Sequence, residues 1–146
     1  MEEFVITQIN TSSPDYQELL EFRNELLRRP LGLNLFEEDL SDDAQDFILV
    51  AKQQGEIIGC VMLHPKENNV IKLRQMAVAE KRQGQSIGKK LVERAEQIAR
   101  ENDFEKIILH ARITAKLFYE KLGYTSFGKE FSEVSIPHVT MEKTLS

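Results

Sequence analysis

The sequence is poor in the residues that staple or anchor a chain. Among its 146 residues there is one cysteine and no tryptophan. A single thiol closes no intrachain disulfide, so the fold must rest on a packed core rather than on cross-links. Cys60 lies in the apolar run Ile57-Ile58-Gly59-Cys60-Val61-Met62-Leu63 and reads as a small buried hydrophobe rather than an activated nucleophile. No apolar run approaches the roughly 20 residues that a membrane-crossing helix needs, so no membrane partner is expected. The opening Met1-Glu2-Glu3-Phe4 has neither the basic start nor the apolar stretch of a secretory leader; a cytoplasmic location is expected. Positive charge is also short. Nineteen Lys and Arg against 24 Asp and Glu leave a net charge of −5. That argues against nucleic acid as the main partner, because phosphate backbones are held by a basic face.

The chain is 41% hydrophobic and 29% charged, the balance of one globular domain spanning residues 1–146. Phe4 to Ile9 alternates as a strand. Ser12-Ser13-Pro14-Asp15 reads as a helix start, with Ser13 as cap and Pro14 in the first turn. That helix, striped by Tyr16, Leu19, Leu20, Leu26 and Leu27, runs to about Arg29 and stops at Pro30 and Gly32. The acidic stretch Glu37 to Asp46 is expected to hold a short second helix. Phe47–Lys52, Ile57–Leu63 and Val70–Val78 read as an antiparallel meander with turns at Gln54-Gly55 and Glu67-Asn68-Asn69. A helix from about Ser86 to Glu101 follows, with Ile87, Leu91, Ala95 and Ile98 on one face. Lys106–His110 is then a strand parallel to Val70–Val78 through a crossover. A helix from about Thr114 to Leu122, stopped by Gly123, precedes strands at Tyr124–Phe127 and Val139–Lys143. This order predicts an α/β (α+β) domain built on a mixed sheet.

The chemistry concentrates where the third meander strand gives way to a helix: Gln83-Gly84-Gln85-Ser86-Ile87-Gly88-Lys89. The first amides of a helix lack intrahelical acceptors, and with the helix dipole they suit phosphate oxygens. Gly84 and Gly88 let backbone approach a ligand; Lys81, Arg82, Lys89 and Lys90 add charge. A P-loop is excluded, since only three residues separate the glycines and Lys90 follows Lys89. A dinucleotide fingerprint is excluded, since Ser86 replaces the middle glycine and the preceding strands are a meander. The residues by themselves leave an ordinary strand–helix turn open.

Gln83, Ser86 and Gly88 resemble the Arg/Gln-x-x-Gly-x-Gly/Ala motif of the GNAT superfamily of N-acetyltransferases, with Ser86 where many members have glycine. Leu73-Arg74-Gln75-Met76-Ala77-Val78 is similar to the family strand that pairs with the pantetheine arm. Ala115 through Tyr119 to Gly123-Tyr124 is similar to its second signature. Leu27-Arg28-Arg29-Pro30-Leu31-Gly32-Leu33 and Ile136-Pro137-His138 resemble a subfamily of small single-domain bacterial members.

The resemblance implies a mostly antiparallel sheet of about six to seven strands with about four flanking helices. It implies acetyl-CoA as acyl donor, no metal, and transfer to a primary amine of a small molecule or protein, with a homodimer allowed for; an acyl-CoA sensor without turnover is the alternative. Cofactor contacts are implied for Met76, Ala77, Val78, Gln83, Gly84, Gln85, Ser86, Ile87, Gly88, Lys89 and Tyr119. Arg112 stands where many members have an asparagine on the cofactor, and it is expected there or on an acidic substrate group. Tyr119 is implied to protonate the leaving thiolate, and the Val78 N–H to stabilise the oxyanion. His138 is the first candidate for the base, with His110, Glu25 and Glu133 behind it. His64 reads as a turn residue. Arg23, Arg28 and Arg29 are candidates for attracting an acidic substrate, and Glu37, Glu38, Asp39, Asp42 and Asp43 for a cationic one.

Overall fold

The computed structural model describes residues 3–84 and 86–146. Seven strands form one sheet: β1 (Val5–Ile9), β2 (Phe47–Gln53), β3 (Glu56–Pro65), β4 (Val70–Val78), β5 (Lys106–Arg112), β6 (Thr125–Glu133) and β7 (Ile136–Thr144). Their order is β1-β2-β3-β4-β5-β7-β6. Every pairing is antiparallel except β4 with β5. That pair is joined by α2 (Ile87–Glu101), as a parallel connection requires. The sheet is therefore mixed and mostly antiparallel.

Helices on both faces cover β3, so it is buried and apolar from Ile57 to Leu63 instead of alternating, whereas β4 and β5 alternate buried with half-buried residues. On one face α2 turns Ile87, Leu91, Ala95 and Ile98 onto Leu49, Val61, Leu73 and Leu109. Each such Leu, Ile or Val side chain contributes roughly 1.5–3 kcal/mol by leaving water. Gly59 of β3 sits beneath this helix. A Cβ there would meet Ile87 and Leu91 side chains at 3.1 Å and the Ala77 carbonyl at 3.3 Å. On the other face α1 (Tyr16–Leu27) lays Leu19, Phe22 and Leu26 over Ile48, Val50, Cys60 and Met62. Cys60 is fully buried and its thiol is pushed up to about 12 by burial, so it is inert as a nucleophile.

Four expectations change. Ser13 does not cap α1: its Oγ accepts the Asn10 N–H at 2.9 Å, and Asp15 holds the cap position without a side-chain capping bond, its carboxylate accepting from Lys52 instead. The acidic stretch forms two 3₁₀ turns, Leu35–Glu37 and Ser41–Gln45, rather than a helix, so three α-helices flank the sheet. The helix expected over 114–122 divides into a 3₁₀ turn, Ile113–Ala115, and a short α3, Lys116–Lys121. β6 and β7 extend beyond their predicted ends into a tight hairpin closed by Val134 and Ser135, both at positive φ.

Candidate functional site

β4 and β5 start as neighbours and then part. Their register runs from Val70↔Lys106 only to Leu73↔Leu109, whereas β5 continues against β7 to Arg112↔His138. On its other side β4 carries a bulge. Arg74 pairs with Met62 and Ala77 with Cys60, so Gln75 and Met76 together oppose Val61, with Gln75 at φ +56°. Beyond the bulge the Ala79 N–H donates to the Ile58 carbonyl at 2.9 Å. Amides alternate sides along a strand, so the Val78 N–H is directed away from β3, toward the gap that β5 leaves.

The loop after β4 closes one end of that gap. The Gln83 side chain donates through Nε2 to the Val78 carbonyl at 3.2 Å, tying the loop to the strand. Gly84 has φ +90° with open space around it, and Ser86 has φ +63°. A left-handed conformation costs an L-residue roughly 1–2 kcal/mol, which gives a physical reason for glycine at the motif position that Ser86 fills here. No side-chain cap comes from Ser86. The Lys90 N–H bonds the Ser86 carbonyl at 3.0 Å; the N–H groups of Ile87, Gly88 and Lys89 precede it and have no acceptor within the helix. Gly88 serves packing as well as approach, since a Cβ would stand 3.3 Å from the Phe118 ring. Gln85 lies outside the described residues.

A cleft of about 780 Å³ occupies the gap. Met76, Ala77 and Val78 line it from β4, Gln83, Gly84 and Ser86 from the loop, and Ile87, Gly88 and Lys89 from the first turn of α2. Arg112 comes from β5 and Tyr119 from α3. Arg82 also lines it, whereas Lys81 and Lys90 do not; Lys90 places its ammonium over the Phe4 ring at 5.6 Å instead. Leu26, Leu27 and Pro30, at the end of α1, line the cleft too. Nothing in the periodicity of α1 marks them as cleft residues, because the same stripe that packs on the sheet runs out into the cleft.

Tyr119 is 6% exposed, and its hydroxyl has no hydrogen-bond partner among the described residues. Its ring meets Phe118 and Tyr124 edge-on at 5.0 and 5.8 Å. Burial pushes its phenol above the ordinary value near 10, so the group stays protonated across the physiological range. A second cavity, about 400 Å³, shares Leu27, Met76, Arg112, Ala115 and Tyr119 with the cleft and adds His110, Glu133 and His138. His138 is 4% exposed. Its Nδ1 lies 2.7 Å from the Ile136 carbonyl, which fixes the proton on Nδ1 and leaves Nε2 as the acceptor of the neutral ring. Glu133 links the histidines: one oxygen is 2.9 Å from His110 Nδ1 and the other 3.7 Å from His138 Nε2.

The remaining charged candidates are paired with other side chains or lie outside both cavities. Glu25 pairs with Arg29 on the surface at 2.7 Å, and Arg28 with Glu38 at 2.6 Å. Glu37, Asp39 and Asp42 line neither cavity. Arg23 and Asp43, offered by the sequence as opposite lures for substrate, bind each other in the interior at 2.7 Å, with 1% and 2% side-chain exposure. Asp43 also accepts from Tyr16 at 2.5 Å and Arg74 at 2.8 Å. Arg74 goes on to Asp46 at 2.8 Å, and His64 meets Asp46 at 2.6 Å, so His64 is a network member rather than a turn residue. This network clamps the 3₁₀ turn Ser41–Gln45 and α1 to the residue immediately before the β4 bulge.

A family model described as an acetyltransferase (GNAT) domain matches residues 11–145. The Bacillus subtilis protein YyaT is 36% identical over 75 residues, 51% of either chain. An uncharacterized N-acetyltransferase of Chlorobaculum tepidum is 28% identical over 94 residues, 64% of this chain and 59% of that one. The matches thus span about half to three fifths of these curated relatives. Among solved structures, Escherichia coli ElaA superposes with a TM-score of 0.83 at 16% identity, over 98% of this chain and 99% of that one. An acyl-CoA N-acyltransferase from Pseudomonas aeruginosa gives 0.83 at 19% identity, over 97% and 99%. An aminoglycoside 6'-N-acetyltransferase complexed with coenzyme A gives 0.77 at 19% identity, over 97% of each chain. These structural likenesses carry the fold.

Proposed function

The chain belongs to the GNAT acetyltransferase family, and from that premise we propose that it transfers the acetyl group of acetyl-CoA directly to a primary amine. The observation that carries this reading is the parting of β4 from β5, which opens a cleft between the first amides of α2, without acceptors in the helix, and a buried tyrosine hydroxyl with no partner among the described residues. The lining fits the donor. The N–H groups of Ile87, Gly88 and Lys89, with Gly84 leaving the approach open, suit the pyrophosphate of coenzyme A. Arg82 and Lys89 add compensating charge. Met76, Ala77 and Val78 line the same cleft where a pantetheine arm would run along β4.

Acetyl-CoA supplies an activated acyl group; the protein's residues orient it and move protons. The Val78 N–H is directed into the gap, where it can donate to a carbonyl oxygen as negative charge builds on it. Tyr119 holds a proton throughout the neutral range and delivers it to the departing sulfur. His138, with its proton fixed on Nδ1, has Nε2 to accept one from the incoming amine. The cleft walls hold donor and acceptor together, which converts a bimolecular encounter into an intramolecular one.

The test is two measurements on the purified chain. Acetyl-CoA should raise the melting temperature, since a ligand bound to the native state stabilises it. Amines should then accelerate thiol release above the rate without acceptor. The reading fails if millimolar acetyl-CoA leaves the melt unmoved, or if no amine in a broad small-molecule and peptide panel accelerates release.

A further inference from the structure

The smaller cavity has a distinct charge pattern. On β5 and β7, Arg112 lies directly opposite His138, and His110 is two residues earlier, so the three side chains share one sheet face. Phe131 of β6 lies opposite His138 in turn. Its ring is 5.0 Å from that of His110 and 6.0 Å from that of His138. Three guanidinium groups line the cavity. Two are neutralised, Arg28 by Glu38 and Arg74 by Asp43 and Asp46. The Arg112 guanidinium has no hydrogen-bond or ion-pair partner among the described residues. Against it stands one lining carboxylate, Glu133, beside the two imidazoles. A cavity of about 400 Å³ is at the low end of the range for small-molecule sites.

Building on the acetyl-transfer reading, we infer that this cavity receives the acceptor, and that the acceptor is a small amine which also carries an anionic group, a carboxylate in the simplest case. Arg112 takes the anion, and the Glu133–His138 pair faces the ammonium end. An uncommitted guanidinium in a partly buried pocket is costly without an anion, and a fork of N–H donors matches a carboxylate in two bonds. A diamine or polyamine is disfavoured by the same inventory. Its second charge would meet Arg112, and the acidic stretch over residues 37–46 lines neither cavity. The amine nitrogen bonds to the acetyl carbon while the carbon–sulfur bond breaks. Of the two protons the ammonium group loses, one leaves through His138 to solvent. The other replaces the proton that Tyr119 gives to sulfur, so that an amide and a free thiol result.

The experiment compares acceptors that differ only by a carboxylate, lysine against cadaverine and tyrosine against tyramine, by thiol release from acetyl-CoA. The wild-type chain should favour the carboxylated member in kcat/KM by about tenfold or more, the worth of one charge-assisted hydrogen-bonded contact. Arg112→Gln should bring that ratio toward one through a raised acceptor KM, Arg112→Lys should keep part of it, and acetyl-CoA should stabilise both variants as it does wild type. Equal rates for the two members of each pair overturn the inference whether or not the variants fold. So does an Arg112→Gln protein that loses its response to acetyl-CoA while keeping the ratio, since the guanidinium then serves the cofactor. Acetyl-CoA stabilisation with no release to any amine overturns the acetyl-transfer reading itself, and the acceptor assignment with it.

Discussion

Removing the carboxylate of Asp43 should destabilise this domain far more than removing the arginine it binds. Asp43 accepts from three donors, Tyr16, Arg23 and Arg74. Among the described residues Arg23 has one acceptor only, and its Nε is already buried without a partner there. In Arg23→Met, Asp43 keeps two donors and no orphan charge remains; the cost is about 1–2 kcal/mol, that of a charged hydrogen bond partly offset by apolar packing. In Asp43→Asn, a guanidinium with 1% exposure loses its only carboxylate, and such a change costs about 3–5 kcal/mol. For a domain of this size the second variant should melt roughly 10–15 °C lower. The comparison is by urea and thermal denaturation, followed across pH. Burial tends to raise the Asp43 carboxyl, but the bonds from Tyr16 and Arg23 and the charges of Arg23 and Arg74 outweigh it and hold it below the ordinary range. Its stabilisation is therefore complete above the unfolded value near 3.9 and lost as pH falls through the lower folded value. The acid limb should flatten in Asp43→Asn. If Arg23→Met proves equally or more damaging, or if Asp43→Asn costs under about 1 kcal/mol, the reasoning about the orphaned charge is wrong.

Three other outcomes are expected. Tyr119→Phe should lower amine-dependent turnover by at least about tenfold, a modest share of what a positioned proton donor supplies, while calorimetry shows acetyl-CoA affinity nearly unchanged; equal turnover would remove the hydroxyl from the reaction. Ser86→Gly should stabilise the chain by about 0.5–1 kcal/mol, because relief of the left-handed conformation exceeds the entropy that glycine adds to the unfolded state; a lower melting temperature would contradict this. Gly59→Ala should destabilise by about 1–3 kcal/mol, as its methyl is driven into Ile87, Leu91 and the Ala77 carbonyl. Because that pushes on the first turn of α2, acetyl-CoA binding should weaken as well, and a variant as stable as wild type would show that α2 moves freely.

The sequence by itself determined the local elements and the ends of most of them. Alternation and apolar runs gave the meander, a 3.6-residue stripe gave α2, and Gln54-Gly55 and Gly123 marked turns at positive φ. It also placed the Gln83–Lys89 segment at a helix start, because strand, glycine and helix follow one another within a few residues. The capping serine and the acidic helix misled because both are weak local preferences that neighbouring bonds override. What only the tertiary structure decided depends on residues far apart along the chain. That Lys89 lines the cleft while Lys90 lies over Phe4 depends on how α2 docks on the sheet. Whether Arg23 and Asp43 are surface lures or an interior pair depends on how a 3₁₀ turn docks against α1. The bulge at Gln75–Met76 and the parting of β4 from β5 follow from strand register, which no single segment encodes. The same register brings His138, Arg112 and Glu133 around one small cavity. A helix start can offer amides to an anion on local grounds alone, but it becomes part of a cleft only when two strands of the sheet separate in front of it.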